Sequence, residues 1–209
     1  MRPRQFAIVA AAALSPLLLA GCLTLRRQFP EKRYYLLEVS RRGEAPPPSA
    51  GAVLEIRRFR VSPPYDRKGF VYRRENARIE SDFYNEFFVE PDSLLTEQTR
   101  LWIAESGLFA NVVDSSSNAE AGYVLEGRAN ALYADYSRAS TPKAVLRIQF
   151  FLSKERGGES SIVFHKDYAR EIPAKGDAPH ALVLGWDEAL GQILTELEND
   201  LRGLHLESR

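Results

Sequence analysis

The amino-acid sequence predicts a single α+β domain, in which a mainly antiparallel sheet carries two helices packed on one face. Two observations support this prediction. Residues 123–136 and 144–154 alternate between apolar and polar side chains, which is the pattern of strands with one buried face. Residues 91–106 and 177–202 instead repeat apolar side chains at helical spacing. A sheet and helices with these patterns bury their apolar faces against each other in layers.

Further strands are predicted where β-branched and aromatic residues cluster between turn-forming residues. These segments are residues 33–39, 53–60, 69–74, 78–82, 84–89, 108–113 and 161–172. The last segment follows the turn at residues 156–159 and forms a hairpin with the strand at 144–154. Residues 44–52, which include three prolines, and the serine run at 114–121 are predicted to be exposed loops.

Both helices have recognisable start or stop signals. Pro91 suits the first turn of the first helix, where its missing N–H costs nothing, and Gly107 suits a position just beyond its end. Asp177 is a good N-cap for the terminal helix, which runs to about Arg202. The apolar stripe of that helix includes Trp186, so we expect this indole to be buried.

The first 22 residues have the pattern of a lipoprotein signal peptide. A short basic start precedes a mostly apolar run, residues 6–20, which is too short to span a bilayer comfortably. The sequence Leu19-Ala20-Gly21-Cys22 resembles the bacterial lipobox, and Cys22 is the only cysteine, so no intramolecular disulfide competes for its thiol. We therefore predict cleavage before Cys22 and lipidation of Cys22. An ordinary signal peptide with a chance cysteine, or an N-terminal anchor helix, is the alternative.

These assignments divide the chain into a signal peptide at residues 1–21, a lipidated tether at 22–32 and a periplasmic domain at 33–204. Several acyl chains on one cysteine hold a protein to a bilayer far more firmly than a single chain. Leu23, next to the predicted anchor, permits sorting to the outer membrane under the rule known for enteric bacteria. The predicted location is therefore the outer membrane of the cell envelope, with the domain facing the periplasm.

Composition and motifs argue against several classes of function. The chain balances 28 basic against 28 acidic residues, which gives no general attraction to nucleic acid. Its three histidines are scattered without a ligand spacing, and the sequence lacks G-x-S-x-G, P-loop and G-x-G-x-x-G motifs. We predict no enzyme activity, no catalytic residues, no metal site and no cofactor.

Two clusters are candidate binding surfaces. Arg57, Arg58 and Arg60 belong to a basic cluster that could meet phospholipid headgroups or an acidic partner, although solvated arginines on exposed strands give the same pattern. The other members of this cluster are Arg67, Lys68, Arg73 and Arg74. The aromatic run Phe83, Tyr84, Phe87 and Phe88 could face a partner or lipid, or belong to the core.

The mature chain as a whole resembles the ABC-type transport auxiliary lipoproteins, the family of the lipoprotein in the paraquat-inducible intermembrane transport system. The matching segments follow one order along the chain: the lipobox, Tyr34–Leu37, Val53–Phe59, Pro63–Tyr65, Val71–Arg73, Phe83–Pro91, Leu94–Trp102, Gly107–Phe109 and Val124–Gly127. One departure is the sequence at 85–88, where many relatives carry a tryptophan and this chain has none.

The resemblance implies an accessory protein without catalysis, which helps an ABC transporter or a mammalian-cell-entry-type protein move lipids or other hydrophobic molecules across the envelope. It would dock the transport assembly at the outer membrane, with a periplasmic mammalian-cell-entry-type protein and the permease components as partners. Formation of a homo-oligomer stays open. The alternative is an envelope assembly factor that serves insertion of lipopolysaccharide or outer-membrane proteins. A lipid-anchored hydrolase would need a nucleophile constellation that the sequence lacks.

Overall fold

Nine strands form one curled, mixed sheet with the shape of a half-barrel, within the residues that the computed structural model describes: 30–44, 51–138, 142–176, 178–204 and 206. The strands are β1 (Arg33–Tyr35), β2 (Val53–Ile56), β3 (Arg60–Val61), β4 (Gly69–Arg73), β5 (Ile79–Phe87), β6 (Asn111–Asp114), β7 (Tyr123–Asp135), β8 (Lys143–Arg156) and β9 (Glu159–Pro173). The helices are α1 (Pro91–Glu105) and α2 (Pro179–Arg202). The predicted single α+β domain with two helices is confirmed.

The prediction of a mainly antiparallel sheet was wrong, because five of the eight pairings between described strands are parallel. The strand β7 lies parallel to β2, β3 and β4, and only its pairing with β8 is antiparallel. Alternation along a strand shows which side is buried, but not the direction of the neighbouring strands. Here the chain runs from the parallel neighbours β2, β3 and β4 to β7 through long connections that include α1, rather than through tight turns.

The core lies between one face of the sheet and the two helices, which contribute to the same cluster of buried side chains. As expected, Trp186 is buried, with 0% of its surface exposed. Its indole Nε1 donates a hydrogen bond to the Tyr133 carbonyl oxygen at 3.3 Å, and its ring packs on Phe70 with centroids 5.0 Å apart. The preceding residue, Gly185, lets α2 approach β8, since a Cβ there would lie 2.7 Å from the Cβ of Ala144.

A bulge in β7 gives the sheet a second, smaller cluster on its other face. The register between β7 and β8 shifts between Ala129 and Ala131, so the alternation predicted along this strand changes sides. Ala131 and Tyr133 therefore pack away from the main core, and the ring of Tyr65 stacks on Tyr133 with centroids 5.5 Å apart. A loop before β4 thus covers part of the face that the helices leave open.

The helix boundaries agree closely with the sequence signals. Gly107 adopts a left-handed backbone with φ of 68°, which ends the α1 region as predicted. Asp177, the predicted N-cap of α2, lies outside the described residues. In the described part of the chain, no helix combines the length and the apolar character needed to cross a membrane.

Candidate functional site

The predicted lipidation site, Cys22, lies outside the described residues. The described chain joins the sheet through β1, which is an edge strand and pairs with β5. Lys32 is the last residue before this strand. Any anchor upstream of the domain therefore connects to it at the β1 edge of the sheet.

Arg57 and Arg58, two of the three arginines predicted to bind a partner, are each held by an acidic residue of the same chain. The Arg57 Nη1 atom lies 3.2 Å from Glu126 Oε1, and the Arg58 Nε atom lies 2.6 Å from Asp92 Oδ2. The hydrogen bond to Asp92 raises the pKa of Arg58. Since exposed ion pairs contribute little to stability, both arginines could exchange these partners for others.

Arg60 differs from Arg57 and Arg58 because its neighbour in the sheet is another arginine. It pairs in parallel register with Arg128 of β7, and both side chains are exposed. Within the described residues neither of these two arginines has an acidic partner in ion-pair distance. Like charges side by side on a sheet are unfavourable, so Arg60 and Arg128 form the position most suited to an external anion.

The rest of the basic cluster does not extend this position into one patch. Arg73 Nη1 donates to the Tyr133 hydroxyl at 3.3 Å, and Arg74 lies 2.8 Å from Glu80. Lys68 Nζ donates to the carbonyl oxygen of Phe88 at 3.1 Å. The structure therefore divides the seven basic residues among several separate environments.

The aromatic run is also divided, and most of it faces solvent. Phe87 belongs to the core and is 2% exposed. Phe83 and Phe88 are 67% and 59% exposed, and Tyr84 is exposed as well. Large exposed aromatic side chains are unusual on a folded domain when several lie together, and they are typical of interaction surfaces.

A bulge in β5 brings Phe83 and Tyr84 to the surface. Gly69 of β4 pairs with Glu86 of β5. Val71 lies two positions further along β4, but it pairs with Ser81, which lies five positions before Glu86. Between these two pairs, the four residues Asp82–Asn85 of β5 stand opposite the single residue Phe70 of β4, and they are called the β5 bulge below. The backbone of this bulge lies so close to β4 that a Cβ on Gly69 would be 2.5 Å from the Asp82 carbonyl oxygen.

The side chain of Asp82 holds the β5 bulge in place. Its Oδ1 atom accepts the backbone N–H groups of Tyr84 at 2.7 Å and Asn85 at 3.0 Å. Its Oδ2 atom accepts the Tyr72 hydroxyl at 2.6 Å and the Asn85 amide nitrogen at 2.9 Å. Burial alone would raise the pKa of Asp82, but these hydrogen bonds outweigh it and lower the pKa.

The exposed rings continue from β5 onto β1. The ring of Tyr34, 54% exposed, meets that of Phe88 edge-on with centroids 6.1 Å apart, and the rings of Phe83 and Tyr84 also meet edge-on. Lys32 Nζ lies 4.4 Å from the centroid of the Phe83 ring. We call Tyr34, Phe83, Tyr84 and Phe88 the aromatic patch.

Sequence reasoning located the aromatic run but missed the bulge that exposes it. Residues 78–82 and 84–89 were predicted to be two separate extended segments, whereas the structure joins them in the single strand β5. The signal that was available is Asp82, because an aspartate side chain often accepts the backbone N–H two residues later and so forms a local turn. Its partners Tyr72 and Gly69 lie on another strand, however, and only the fold brings them together.

A second feature, far from the predicted sites, is a groove of about 860 Å³ between the segment after β1 and α2. Glu198 on its floor is buried and accepts hydrogen bonds from Arg41 at 2.9 Å, Trp102 Nε1 at 3.0 Å and Arg202 at 2.7 Å. Burial opposes the charge, but these donors lower the pKa of Glu198. The charge is thus fully compensated within the chain, and Glu198 links both helices to the N-terminal segment.

Asp187 of the same groove lacks such compensation. Its Oδ1 atom accepts the backbone N–H of Glu38 at 2.9 Å, and in the described residues no cation lies in ion-pair distance of it. Burial raises the pKa of Asp187 to about 6, and the hydrogen bond from Glu38 opposes this rise. The carboxyl group therefore changes its charge within the physiological pH range.

The candidate features within the described residues are exposed surfaces and a groove. No group of three or more histidine, cysteine, aspartate or glutamate side chains among them could hold a metal ion. Each of their buried side-chain nitrogen and oxygen atoms has a hydrogen-bond partner. The functional features that stand out are the aromatic patch, the Arg60 and Arg128 position, and the groove beside α2.

Comparison of the sequence with family models and with curated proteins finds no match. The fold, in contrast, is shared with solved structures. A Xanthomonas campestris protein of the family DUF330 matches with a TM-score of 0.66 and 17% identity, over 79% of this chain and 92% of that protein. A second crystal structure, of an uncharacterized protein, matches with a TM-score of 0.63 and 14% identity, over 82% of this chain and 99% of that one.

A lipoprotein from Neisseria meningitidis, GNA1162, is less similar. It matches with a TM-score of 0.39 and 9% identity, over 73% of this chain and 99% of that protein. A likeness at this level carries no argument about the present chain. The comparisons therefore show that this chain has the fold of the DUF330 protein, at low sequence identity.

Proposed function

We propose that this chain is a lipid-anchored lipoprotein of the outer membrane, which faces the periplasm and serves an ABC or mammalian-cell-entry-type transport system for lipids or hydrophobic molecules. It acts by docking the transport assembly at the membrane and performs no catalysis. Cys22 carries the lipid, and the partners are a periplasmic mammalian-cell-entry-type protein and the permease components.

One observation carries this proposal: most of the segments that resemble the transport auxiliary lipoproteins overlap strands or helices of the domain. Tyr34–Leu37 overlaps β1, Val53–Phe59 contains β2, and Leu94–Trp102 lies within α1. The resemblance therefore follows most of the framework of the fold in order. The fold shared with the DUF330 protein over 92% of that protein is compatible with such a relationship.

The arrangement of the surface also favours binding. A tether fixes the domain at one membrane and raises its effective concentration toward a partner that reaches across the periplasm, so the contact itself can be weak. The adjacent Arg60 and Arg128 give this contact a site for an acidic group. A lipid-anchored domain with such a surface needs no reaction centre to hold an assembly in place.

The anchor is tested by labelling cells with a radioactive fatty acid. The wild-type chain should be labelled, and Cys22→Ser should be unlabelled and remain uncut, because the peptidase acts on the modified cysteine. Label on the serine variant, or none on the wild type, would remove the lipid anchor from the proposal.

Docking is tested by pull-down of the periplasmic part of a mammalian-cell-entry-type protein encoded beside this gene, with the purified lipidated chain as bait. We expect enrichment at low salt, and weaker enrichment with Arg60→Glu at an unchanged unfolding midpoint. Arg156→Glu, which makes the same charge change at the turn between β8 and β9, is the matched control. Absence of enrichment with folded bait would end the transport proposal and favour an envelope assembly factor.

A further inference from the structure

The aromatic patch keeps apolar rings in contact with water, which is unfavourable, and packing of the core does not account for this exposure. Phe83 is 67% exposed, yet the β5 bulge that presents it is fixed by four hydrogen bonds to the half-buried side chain of Asp82. Exposed rings on a flexible loop could fold back onto the protein, but rings on a rigid support stay in contact with water. A surface of this kind gains free energy only when something apolar covers it.

The position of the patch along the chain indicates what covers it. Lys32, the last residue before β1, has its Nζ atom 4.4 Å from the centroid of the Phe83 ring. The stretch from Cys22 to this point is short, because Lys32 is the tenth residue after Cys22. Fully extended, ten residues span at most about 33–36 Å, and a flexible chain is on average much shorter. A lipid on Cys22 therefore keeps the patch close to the bilayer surface.

We propose that the aromatic patch lies in the headgroup region of the bilayer that holds the lipid of Cys22, and thereby fixes the orientation of the domain on the membrane. This inference rests on the lipid anchor of the proposed function. It adds a second contact, made by the folded domain itself. The edge formed by β1 and β5 then faces the membrane, and the opposite end of the sheet faces the periplasm.

The chemistry of the patch suits this environment. Tyrosine combines an apolar ring with a polar hydroxyl and favours the interface between membrane and water, and Tyr34 and Tyr84 supply two such rings. A lysine beside them can bury its aliphatic part while its ammonium group stays among the headgroups. Lys32 is already paired with Glu86 at 3.2 Å, however, so the rings and not net positive charge provide the attraction.

This division of roles makes the contact independent of anionic lipid. Attraction between a basic cluster and anionic headgroups weakens with salt, whereas burial of rings does not. We expect the patch to insert equally into vesicles of pure phosphatidylcholine, at low and at high salt. The tether makes the insertion intramolecular, so a few partly buried rings are sufficient to hold one orientation.

The test uses the chain from Cys22 onward, which contains the compact unit Lys32–Arg209. Since Cys22 is the only cysteine, its thiol can be coupled to a maleimide lipid in phosphatidylcholine vesicles that carry brominated acyl chains. In the variant Phe83→Trp, the new indole reports contact with the brominated acyl chains through quenching and a blue shift of its emission. The native Trp102 and Trp186 are buried and give a background that the unsubstituted chain measures.

Ile162→Trp is the matched control, because Ile162 is 63% exposed and lies on β9, four strands away from β5 in the sheet. We expect strong quenching and a blue shift at position 83, and neither at position 162. In a second arm, Phe83→Ser should lower the vesicle partition coefficient of the uncoupled chain about tenfold, as expected for one exposed phenyl ring.

Several outcomes would overturn the proposal. Equal quenching at positions 83 and 162 would show that the domain has no fixed orientation, and absence of quenching at both would show that the patch stays in water. A mass in solution that falls from an oligomer to a monomer with Phe83→Ser would assign the patch to contacts between copies. Because the coupling is chemical, the test does not depend on lipidation in cells, so failure of the anchor and failure of the patch are distinguished.

Discussion

The β7–β8–β9 part of the sheet and the edge formed by β1 and β5 belong to one sheet, but they are built differently. In the first part, long antiparallel strands pair over most of their length, and α2 covers one face. At the second, the three residues of β1 pair with a strand that the β5 bulge interrupts. The first part buries most large side chains of β7 and β8, whereas the second exposes Tyr34, Phe83 and Phe88.

This difference separates residues that stabilise the fold from residues that are free to bind. Burial of apolar surface is the main source of stability, so substitutions under α2 should affect unfolding strongly. The exposed rings of the aromatic patch bury little, so their removal should leave unfolding nearly unchanged. Substitutions that disturb the β5 bulge, which supports the patch, should have intermediate effects on unfolding, because the hydrogen bonds of the bulge are partly buried.

The largest effect is expected for Trp186→Ala under the hairpin. The indole is 0% exposed and packs on Phe70 and Phe87, so its removal leaves a cavity and should lower the free energy of unfolding by about 3–5 kcal/mol. Denaturant melts of the chain from Cys22 onward measure this loss. Leu184→Ala, at an exposed position of the same helix, is the control and should change stability by less than about 0.5 kcal/mol.

Gly69→Ala should have an intermediate effect at the β5 bulge. The new Cβ would lie 2.5 Å from the backbone oxygen of Asp82, so the bulge must move away from β4 at a cost of about 1–3 kcal/mol. A shift of the bulge should also change the tryptophan emission of the double variant Gly69→Ala with Phe83→Trp, relative to Phe83→Trp alone. Gly122→Ala, where nothing lies within 4 Å of the added Cβ, is the control. Equal effects of the two substitutions would mean that the bulge is not rigid.

Asp187→Asn tests the groove and should act only at neutral and alkaline pH. The folded chain releases this proton at about pH 6, and the unfolded chain near the usual value for aspartate, so wild-type stability falls as the pH rises between these values. Asparagine keeps an acceptor for the Glu38 N–H without the charge. After allowance for solvent screening, we expect a gain of about 1 kcal/mol at pH 8 and none at pH 3 in urea melts. A gain at both pH values would contradict the titration of Asp187.

The smallest effect is expected for Phe83→Ser in the aromatic patch. With 67% of its surface exposed, Phe83 should contribute less than about 0.5 kcal/mol to the free energy of unfolding. Thermal and denaturant melts of the variant should superimpose on those of the unsubstituted chain. A loss as large as that of Gly69→Ala would instead make the ring part of the fold, and the comparison between the two regions would fail.

The two regions also differ in how well the sequence predicted them. Alternation at residues 144–154 and the stripe through Trp186 depend on local periodicity, and both predicted burial correctly. The parallel neighbours of β7 could not be predicted, because alternation does not report strand direction. The shift at Ala129 and the β5 bulge were missed as well, since each depends on a partner from another strand.

The candidate site shows the same limit. Arg57 and Arg58 were grouped with Arg60 because they are adjacent in sequence, but Glu126 and Asp92 come from distant parts of the chain and hold the first two. The pairing of Arg60 with Arg128 follows from the parallel register of β3 and β7, which no local pattern encodes. Composition selected the arginines, and the fold determined which of them lie exposed without an acidic partner among the described residues.

The contact between Arg41 and Glu198 has a mechanical consequence for any load on the N-terminal segment. A pull on the N-terminal segment reaches β1 first, and β1 has only three residues. Directly behind it, Glu38 and Val39 donate their backbone N–H groups to Asp187 and Gln98, and Arg41 forms two hydrogen bonds with Glu198. Load applied at the start of the domain is therefore passed to both helices, so the fold resists peeling from the β1 edge.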